Sequence, residues 1–530
     1  MDPLALLDLV EEVFDPKRAP EDIELVKRLS DFTHGVGPDA LAPSERTGRF
    51  PRDELIAFAG AGLMAEIAPE CAGGKLEWAR AMRLATRGAA WDLDFMLCLG
   101  GAVLGGAAVL VAGNSDQQTA YFGALLRGEV GGLALSEWEH GSDLLSNECV
   151  ATQSDDHFVL RGVKGPINNG TRGAYVVVLA RTGEQSDASG QTLFLLDRNT
   201  KGLEGELPFS SIGYRNMDLA RVTLNDARVP ASAVLGQVGE GFLHVRRTLE
   251  ISRSGVAAMT CGALAKAASL ALEHAGTRHL YQGPISDLPA VRGLVARCVA
   301  RLVLGTALVR TTAHAVSKWA GSARNWSCAA KWILPVLLER NVHDAGTVLG
   351  ARSLMEDLPF ARLRRSAPLL AIFDGSALLQ LDELFRYVTF WEKSAADRLA
   401  ARHALFAKAD SPFDAHRTDD HGVLDALSPI NGEGPFARIA EVLIPFARDA
   451  RRNVHLRGPV SEIAAWLYAV NALDYGHTRF PDAVRSLVLH EIETSLVEPC
   501  ARLGIDTAEL LTHAPRFAEV VDGTFAWVGR

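Results

Sequence analysis

Along the first quarter of the chain apolar residues return every three or four positions, in ALLDLVEEVF (residues 5–14) and again in DELIAFAGAGLMAEIA (residues 53–68). That spacing lays an apolar stripe along a helix. HGVGPDALAP (34–43) and ECAGGK (70–75) break the pattern with Gly and Pro. From about residue 131 the period changes to two. HFVLRGVKG (157–165) alternates, AYVVVLART (174–182) is rich in β-branched residues, and TLFLLD (192–197) and LARVTLNDARV (219–229) follow between turn-forming clusters. Short strands at this spacing predict a compact β-domain. After Gly241 long helical patterns return, through VRGLVARCVARLVLGTALVRTTAHAV (291–316) to YVTFWEKSAADRLAARHALF (387–406). Their mostly short interruptions predict an antiparallel bundle. A stretch dense in Pro, Gly and Asp (409–435) reads as a linker. The fold class is therefore α+β: an N-terminal helical domain (1–130), a central β-domain (131–240), a C-terminal helical bundle (241–400), a linker (401–435) and a helical extension (436–530).

Composition narrows the function. The 530 residues are 48% hydrophobic, enough for more than one core, and the 22% charged content is not that of a disordered chain. A net charge of −10 argues against a general binder of nucleic acid or anionic membranes; the Arg246-Arg247 and Arg362–Arg365 runs read as solvated faces, or as seats for phosphate. Seven scattered cysteines with no CxxC pair point to reduced thiols in a cytoplasmic protein. The acidic, amphipathic MDPLALLDLVEEVFD start is wrong for a cleaved secretory signal. The uncharged run Phe95–Ser115 is rich in Gly and Ala and predicts a buried helix, with no membrane span. No GxxxxGKS, strand-borne GxGxxG or GxSxG occurs, and His490-Glu491 lacks the second His of a zinc-protease helix, so no metal site is expected.

Four blocks carry the chemistry: LALSEWEHGSDLLSNECVAT (133–152), GVKGPINNGTRGAYVVVLART (162–182), IGYRNMDLARVTLNDARVPASAVLGQVGEGF (212–242) and LLAIFDGSALLQL (369–381). In order and domain they resemble the acyl-CoA dehydrogenase family, whose members carry TEPxAGSD-like, K-x-WITNG-like, VPxxNVLG-x-x-G-x-GF and late YEGT-like blocks. The resemblance spans roughly residues 40–395. It implies an FAD-dependent oxidoreductase acting on an acyl-CoA or acyl-carrier-protein thioester, with an electron-transfer flavoprotein or oxygen as acceptor. It also implies a homodimer or homotetramer. The INNGTR and FDGS variants are similar to branches in polyketide and related natural-product pathways, where the acyl group rides on a carrier protein. Two other readings stay open: the same fold running another flavin reaction (oxidase, nitroalkane-type oxidase or hydroxylase), or a non-catalytic scaffold that has lost FAD.

The resemblance assigns residues. In the first block Leu135, Ser136, Gly141 and Ser142 fall at flavin-binding positions. Short hydroxyls and free N–H groups at such a turn suit the pyrimidine edge or a phosphate, although the same residues make an ordinary polar turn. Glu137 and Asp143 are expected to orient the loop rather than react. In the second block Ile167 supplies apolar contact, and Asn168 stands where relatives place a Ser or Thr hydroxyl near flavin N5. An amide can still donate there; Asn168-Asn169-Gly170 also reads as a plain strand-end turn. Pro166 replaces the usual Trp, which leaves one flavin face differently covered.

In the fourth block Asp374 occupies the position of the family's catalytic Glu, with Phe373 and Gly375 as substrate contacts and Ser376 as a cofactor contact. Burial in an apolar pocket raises a carboxylate pKa toward that of an activated α-C–H. Asp374 equally suits a helix cap. Ser252 falls where some relatives keep their base on the first long C-terminal helix, and a hydroxyl cannot serve unaided. Glu250 and Arg253 align with substrate-arm positions, or pair with each other along the helix. Arg278 and Tyr281 resemble R-x-x-F-G with Gln282 for Gly. Thr347 and Gly350 resemble QILGGYG with Ala351 for the second Gly. Both segments imply flavin contacts across a dimer interface.

Overall fold

The computed structural model describes residues 1–37, 40–318, 320–388, 435–474, 481–507 and 517–528. The described residues form two compact units, Ala19–Gly255 and Met1–Arg18 with Val256–Arg530. Helix α1 (Pro3–Phe14), capped by the Asp2 side chain, belongs to the second unit.

The first unit begins with helices α2 (Pro20–Val36), α3 (Ala42–Thr47), α4 (Arg52–Gly60), α5 (Trp78–Trp91), α6 (Leu93–Ala112) and α7 (Ser115–Leu126). Asp92 caps α6 by accepting from Phe95 N at 2.9 Å, and an Asn114/Gln117 capping box opens α7. The Gly/Ala richness of α6 has a packing cause. A Cβ at Gly105 would lie 2.7 Å from Gly132 O, and one at Gly101 would lie 2.2 Å from the Asn168 amide, so only glycine lets the helix approach the strands this closely. Helices α6 and Gly241–Thr277 are long and apolar enough to cross a membrane. In each, most of the apolar stretch is buried inside the protein, as in the core helix of a soluble fold.

The strands are β1 (Gly131–Ala134), β2 (Val150–Ser154), β3 (His157–Asn168), β4 (Tyr175–Arg181), β5 (Gln191–Asp197), β6 (Leu203–Glu206), β7 (Leu219–Pro230) and β8 (Val234–Leu235). They pair in the order β6-β7-β3-β2-β4-β5-β8, with β1 parallel to β4. The period-two pattern explains the faces: Phe158 and Leu160 point into a core with Val176, Val178, Phe194, Leu196, Val222 and Val229, while Arg161 points out. Each such side chain contributes about 1.5–3 kcal/mol by burial.

Helix α8 (Gly241–Thr277) runs through the division at Gly255. The second unit continues with a hairpin, β9 (His279–Leu280) and β10 (Gly283–Pro284), and then α9 (Pro289–Lys318), α10 (Ala320–Leu349), α11 (Pro359–Ser366), α12 (Leu369–Ile372) and α13 (Ala377–Val388). Helices α14 (Pro435–Asp449), α15 (Arg457–Asp474), α16 (Asp482–Arg502) and α17 (Phe517–Val528) follow. The linker expected at 401–435 lies outside the described residues except for Pro435, and so does most of the helix expected at 387–406. Helix α1 packs in this unit, with the Arg310 guanidinium 5.2 Å from the Phe14 ring.

The C-terminal helices join α9 and α10 through buried charge. Arg301 donates to both oxygens of Glu491 (2.8 and 3.2 Å) and to Asp344 (2.7 Å), and all three residues are buried. Removing one partner of such a group strands the others without water. Glu491→Ala is therefore expected to lower stability by about 3 kcal/mol, measured as the shift in the denaturant unfolding curve; a shift under about 0.5 kcal/mol would show that the pairing is not what holds α16.

Candidate active site

The loop that follows β1, with Leu135 and Ser136 at its start, is positioned by a buried cation. Lys164 lies on β3 at an inward-facing position between Val163 and Gly165, and it is fully buried. Its Nζ donates to Leu135 O (2.9 Å), Glu137 Oε1 (2.9 Å) and Asn147 Oδ1 (2.7 Å). Glu137 also accepts from Glu148 N (2.8 Å) and Cys149 N (2.9 Å), and Gly165 N donates to Ser136 O (3.0 Å). The first and second blocks are thus fastened together at the ends of β1 and β3. Burial alone would push the Glu137 carboxyl up; the Lys164 ammonium and the Glu148 and Cys149 N–H groups outweigh it and hold Glu137 below the usual carboxylate range. Burial drives Lys164 down from its ordinary value and pushes the Cys149 thiol up to about 11. Glu137, His140 and Glu148 lie within reach of a shared ion, yet both Glu137 oxygens are already engaged, so Glu137 orients the loop.

Beyond Glu137 the loop turns outward. Gly141 and Ser142 are exposed, and a Cβ at Gly141 would meet no atom within 4 Å. Trp138 is 71% exposed and stacks on Phe209, with ring centroids 5.3 Å apart and planes 2° from parallel. Leu135 and Ile167 are buried, and Pro166 is exposed after a cis Gly165–Pro166 bond. Asn168 departs from expectation. Its Nδ2 donates to Leu97 O on α6 (3.0 Å), and its Oδ1 is buried with no partner among the described residues. The neighbouring Asn169, at φ +60°, sends its amide to Cys98 O (3.0 Å) and Gly131 O (3.1 Å). The pair thus forms the strand-end turn that the sequence also allowed, with both amides reaching α6. Farther on, Arg253 is buried and Glu250 half-buried on α8, and the Ser252 hydroxyl donates to Leu249 O (3.4 Å).

In the second unit the other residues fall on three places. Arg278 and Tyr281 are exposed on the β9–β10 hairpin, where Tyr281 (φ +53°) and Gln282 (φ +80°) form the turn. The glycine expected at the second position would take that conformation freely, and Gln282 does not. Thr347 is exposed on α10 and donates back to His343 O (3.0 Å), and Gly350 follows at φ +59°. His274 joins these two segments: burial first, and then the neighbouring Arg352 and Arg278 guanidinium groups, push it below its ordinary value. Sequence reading missed Arg352 and His274, which stand beside Arg278 only through the fold. The last group is continuous. Phe373, Asp374, Gly375 and Ser376 link α12 to α13, with Asp374 at φ +59° and Gly375 at φ +88°. Ser376 Oγ accepts from Leu379 N (3.4 Å), so the cap of α13 falls to Ser376.

Comparison with known proteins agrees with this arrangement. The family model of the acyl-CoA dehydrogenase middle domain matches residues 132–227, and that of the C-terminal domain matches residues 239–388. The chain belongs to the acyl-CoA dehydrogenase family. Human mitochondrial short-chain specific acyl-CoA dehydrogenase is 27% identical over 367 residues, 67% of this chain and 87% of the relative. Butyryl-CoA dehydrogenase from Megasphaera elsdenii has a similar fold (TM-score 0.66, 22% identity), covering 69% of this chain and 98% of its own. An acyl-CoA dehydrogenase complexed with FAD from Bacillus anthracis matches 98% of this chain and 96% of its own, at TM-score 0.77 and 18% identity.

Acyl-CoA dehydrogenases use FAD, and the residues present suit it. The Ser136–Ser142 loop offers hydroxyls and an open glycine at a strand end. Arg278 and Arg352 are both close enough to His274 to depress its pKa, which brings two guanidinium groups, suited to phosphate, to one neighbourhood. At Asn168 one amide hydrogen is held by Leu97, which leaves the second for an acceptor such as flavin N5. The loop depends on Lys164, and Lys164→Met tests this. The variant is expected to lose about 3 kcal/mol at pH 7 and to bind FAD more weakly. Glu137 has a folded-state pKa below its ordinary 4.5, so its contribution is present above that value and lost as pH falls through the folded one. The gap between wild type and variant in thermal unfolding should therefore narrow below about pH 4.5; a gap constant with pH would remove the pair as its cause.

Proposed function

We propose that this acyl-CoA dehydrogenase family enzyme oxidises an acyl thioester to its α,β-unsaturated product, with Asp374 as the base. The observation that carries the reading is the Phe373–Ser376 turn. Asp374 stands at the family's base position, in the left-handed region at φ +59°, while Ser376 caps the following helix. A strained non-glycine conformation of this kind costs about 1–3 kcal/mol and clusters at functional sites.

The α-C–H bond breaks with its electron pair left on carbon, and the Asp374 carboxylate takes the proton. The Cα=Cβ bond forms as a hydride leaves Cβ. FAD, when bound, supplies the acceptor for that hydride at N5. Asp374 is one methylene shorter than Glu, so the acyl chain lies closer to the turn than in relatives with Glu. The buried Arg253 is assigned to a phosphate of the pantetheine arm, with Glu250 beside it. In keeping with the INNGTR and FDGS variants, a carrier protein bears the acyl group and the reaction belongs to natural-product biosynthesis in the cytoplasm. Reoxidation falls to an electron-transfer flavoprotein, as is typical of the family, or to oxygen. The exposed hairpin, with Tyr281 86% exposed, supports a homodimer or homotetramer in which one subunit's hairpin meets the flavin of another. A second reading, nitroalkane-type oxidation, draws on Asp as base.

Anaerobic mixing of the purified flavoprotein with butyryl-CoA, the butyryl carrier protein or nitroethane separates these. Bleaching of the flavin absorbance by a thioester alone is expected, fastest with the carrier protein; bleaching by nitroethane alone would favour the second reading. Asp374→Asn should slow thioester bleaching by about 10³-fold. A native rate in that variant would remove Asp374 as base.

A further inference from the structure

Lys331 lies on α10 and is fully buried. Its Nζ donates to Leu370 O at 2.6 Å and lies 5.6 Å from the centroid of the Phe373 ring. Leu370 belongs to the four-residue helix α12, where Phe373 N donates to Leu369 O (3.2 Å) and Lys331 takes the next carbonyl. On the far side of Asp374, the fully buried Gln380 donates from Nε2 to Gly375 O at 3.1 Å. Two buried side chains from α10 and α13 therefore hold carbonyl oxygens before and after Asp374, and the lysine also meets the ring of the residue next to it. Burying an ammonium is costly unless it is hydrogen-bonded. A left-handed aspartate in a tight turn keeps a fixed direction when the backbone on both sides of it is held.

We infer that Lys331 and Gln380 are positioning residues that clamp the Leu370–Gly375 segment and thereby aim Asp374 at the substrate α-carbon. The inference rests on Asp374 as base. Proton abstraction tolerates little displacement, since a shift of about 1 Å costs about 10²-fold in rate. Lys331 does not touch the reacting atoms; the ammonium acts through the backbone and the Phe373 ring.

The test uses FAD-loaded Lys331→Met, Lys331→Gln and Gln380→Leu beside wild type and Asp374→Asn. Hydrogen–deuterium exchange is followed over residues 369–380. Flavin reduction is followed with butyryl-CoA and with its α,α-dideuterated form. In Lys331→Met, exchange in this segment is expected to rise about tenfold. Flavin reduction should fall about 10–100-fold with KM nearly unchanged and a larger isotope effect. Lys331→Gln keeps a donor to Leu370 O and should recover part of the rate; Gln380→Leu should act in the same direction as Lys331→Met. Unchanged exchange over this segment would overturn the inference, as would a rate loss that only tracks lost FAD with the isotope effect unaltered. If Lys331→Met does not fold, the same readings on Gln380→Leu decide. A native rate in Asp374→Asn strikes the base assignment instead, and the exchange data then decide whether the clamp holds; if butyryl-CoA does not reduce wild type, the butyryl carrier protein and its α,α-dideuterated form are used for the same readings.

Discussion

A lysine ammonium enclosed by three oxygens at the ends of β1 and β3 is the constraint on which the first unit's site depends. Lys164 cannot leave its charge unpaired in the sheet interior, so Leu135 O, Glu137 and Asn147 must come to it. Glu137, once held there, accepts from the Glu148 and Cys149 backbones and closes the loop from Leu135 to Cys149. The exposed groups of that loop, Gly141 and Ser142 among them, owe their placement to a pair that is itself out of solvent. Chemistry at the rim of the sheet thus rests on electrostatics one residue layer deeper.

The architecture was legible because period decides face. The alternation in residues 157–165 and the β-branched run in 174–182 became β3 and β4 of one sheet, and the Gly/Ala run after Phe95 became a helix packed on strands. The alternation puts Lys164 on the face of Phe158 and Leu160, but its charge argues for solvent. An isolated lysine in a strand is read as solvent-facing, and its partner Glu137 stands in a different strand-end loop. Only the structure shows the oxygens that let the lysine stay inside. Likewise, the amphipathic pattern of α1 specifies a helix with one buried face. It does not specify that this face joins the Val256–Arg530 unit.

Asn168 shows where motif reading stops. A motif compares side-chain functions at a position, and on that basis an amide can replace a hydroxyl as donor. The amide is longer, and α6 offers it two things a hydroxyl would not reach: the Leu97 carbonyl, and the space above Gly101 where any larger residue would collide. Backbone acceptors and missing side chains leave no mark in a motif. The strand-end turn through Asn169, with its own bonds to Cys98 and Gly131, adds to the pull toward the helix.

The Asp374 turn carries the same division between short motifs and distant support. Phe-Asp-Gly-Ser names the residues that a base segment needs: a carboxylate, a glycine that takes φ +88° without strain, and a serine that caps the next helix. None of them explains why Asp374 itself stays at φ +59°. The segment is held on both sides of it by groups from elsewhere: Lys331, some forty residues earlier, and Gln380 on the following helix. With Asp374 in the proposed role of base, the reach is one bond shorter than with Glu, so the backbone would supply the accuracy that a longer side chain finds by rotation. A segment clamped on both carbonyls supplies it. The burial of Lys331 is then intelligible as part of the active-site turn rather than as an isolated charge in a helical bundle.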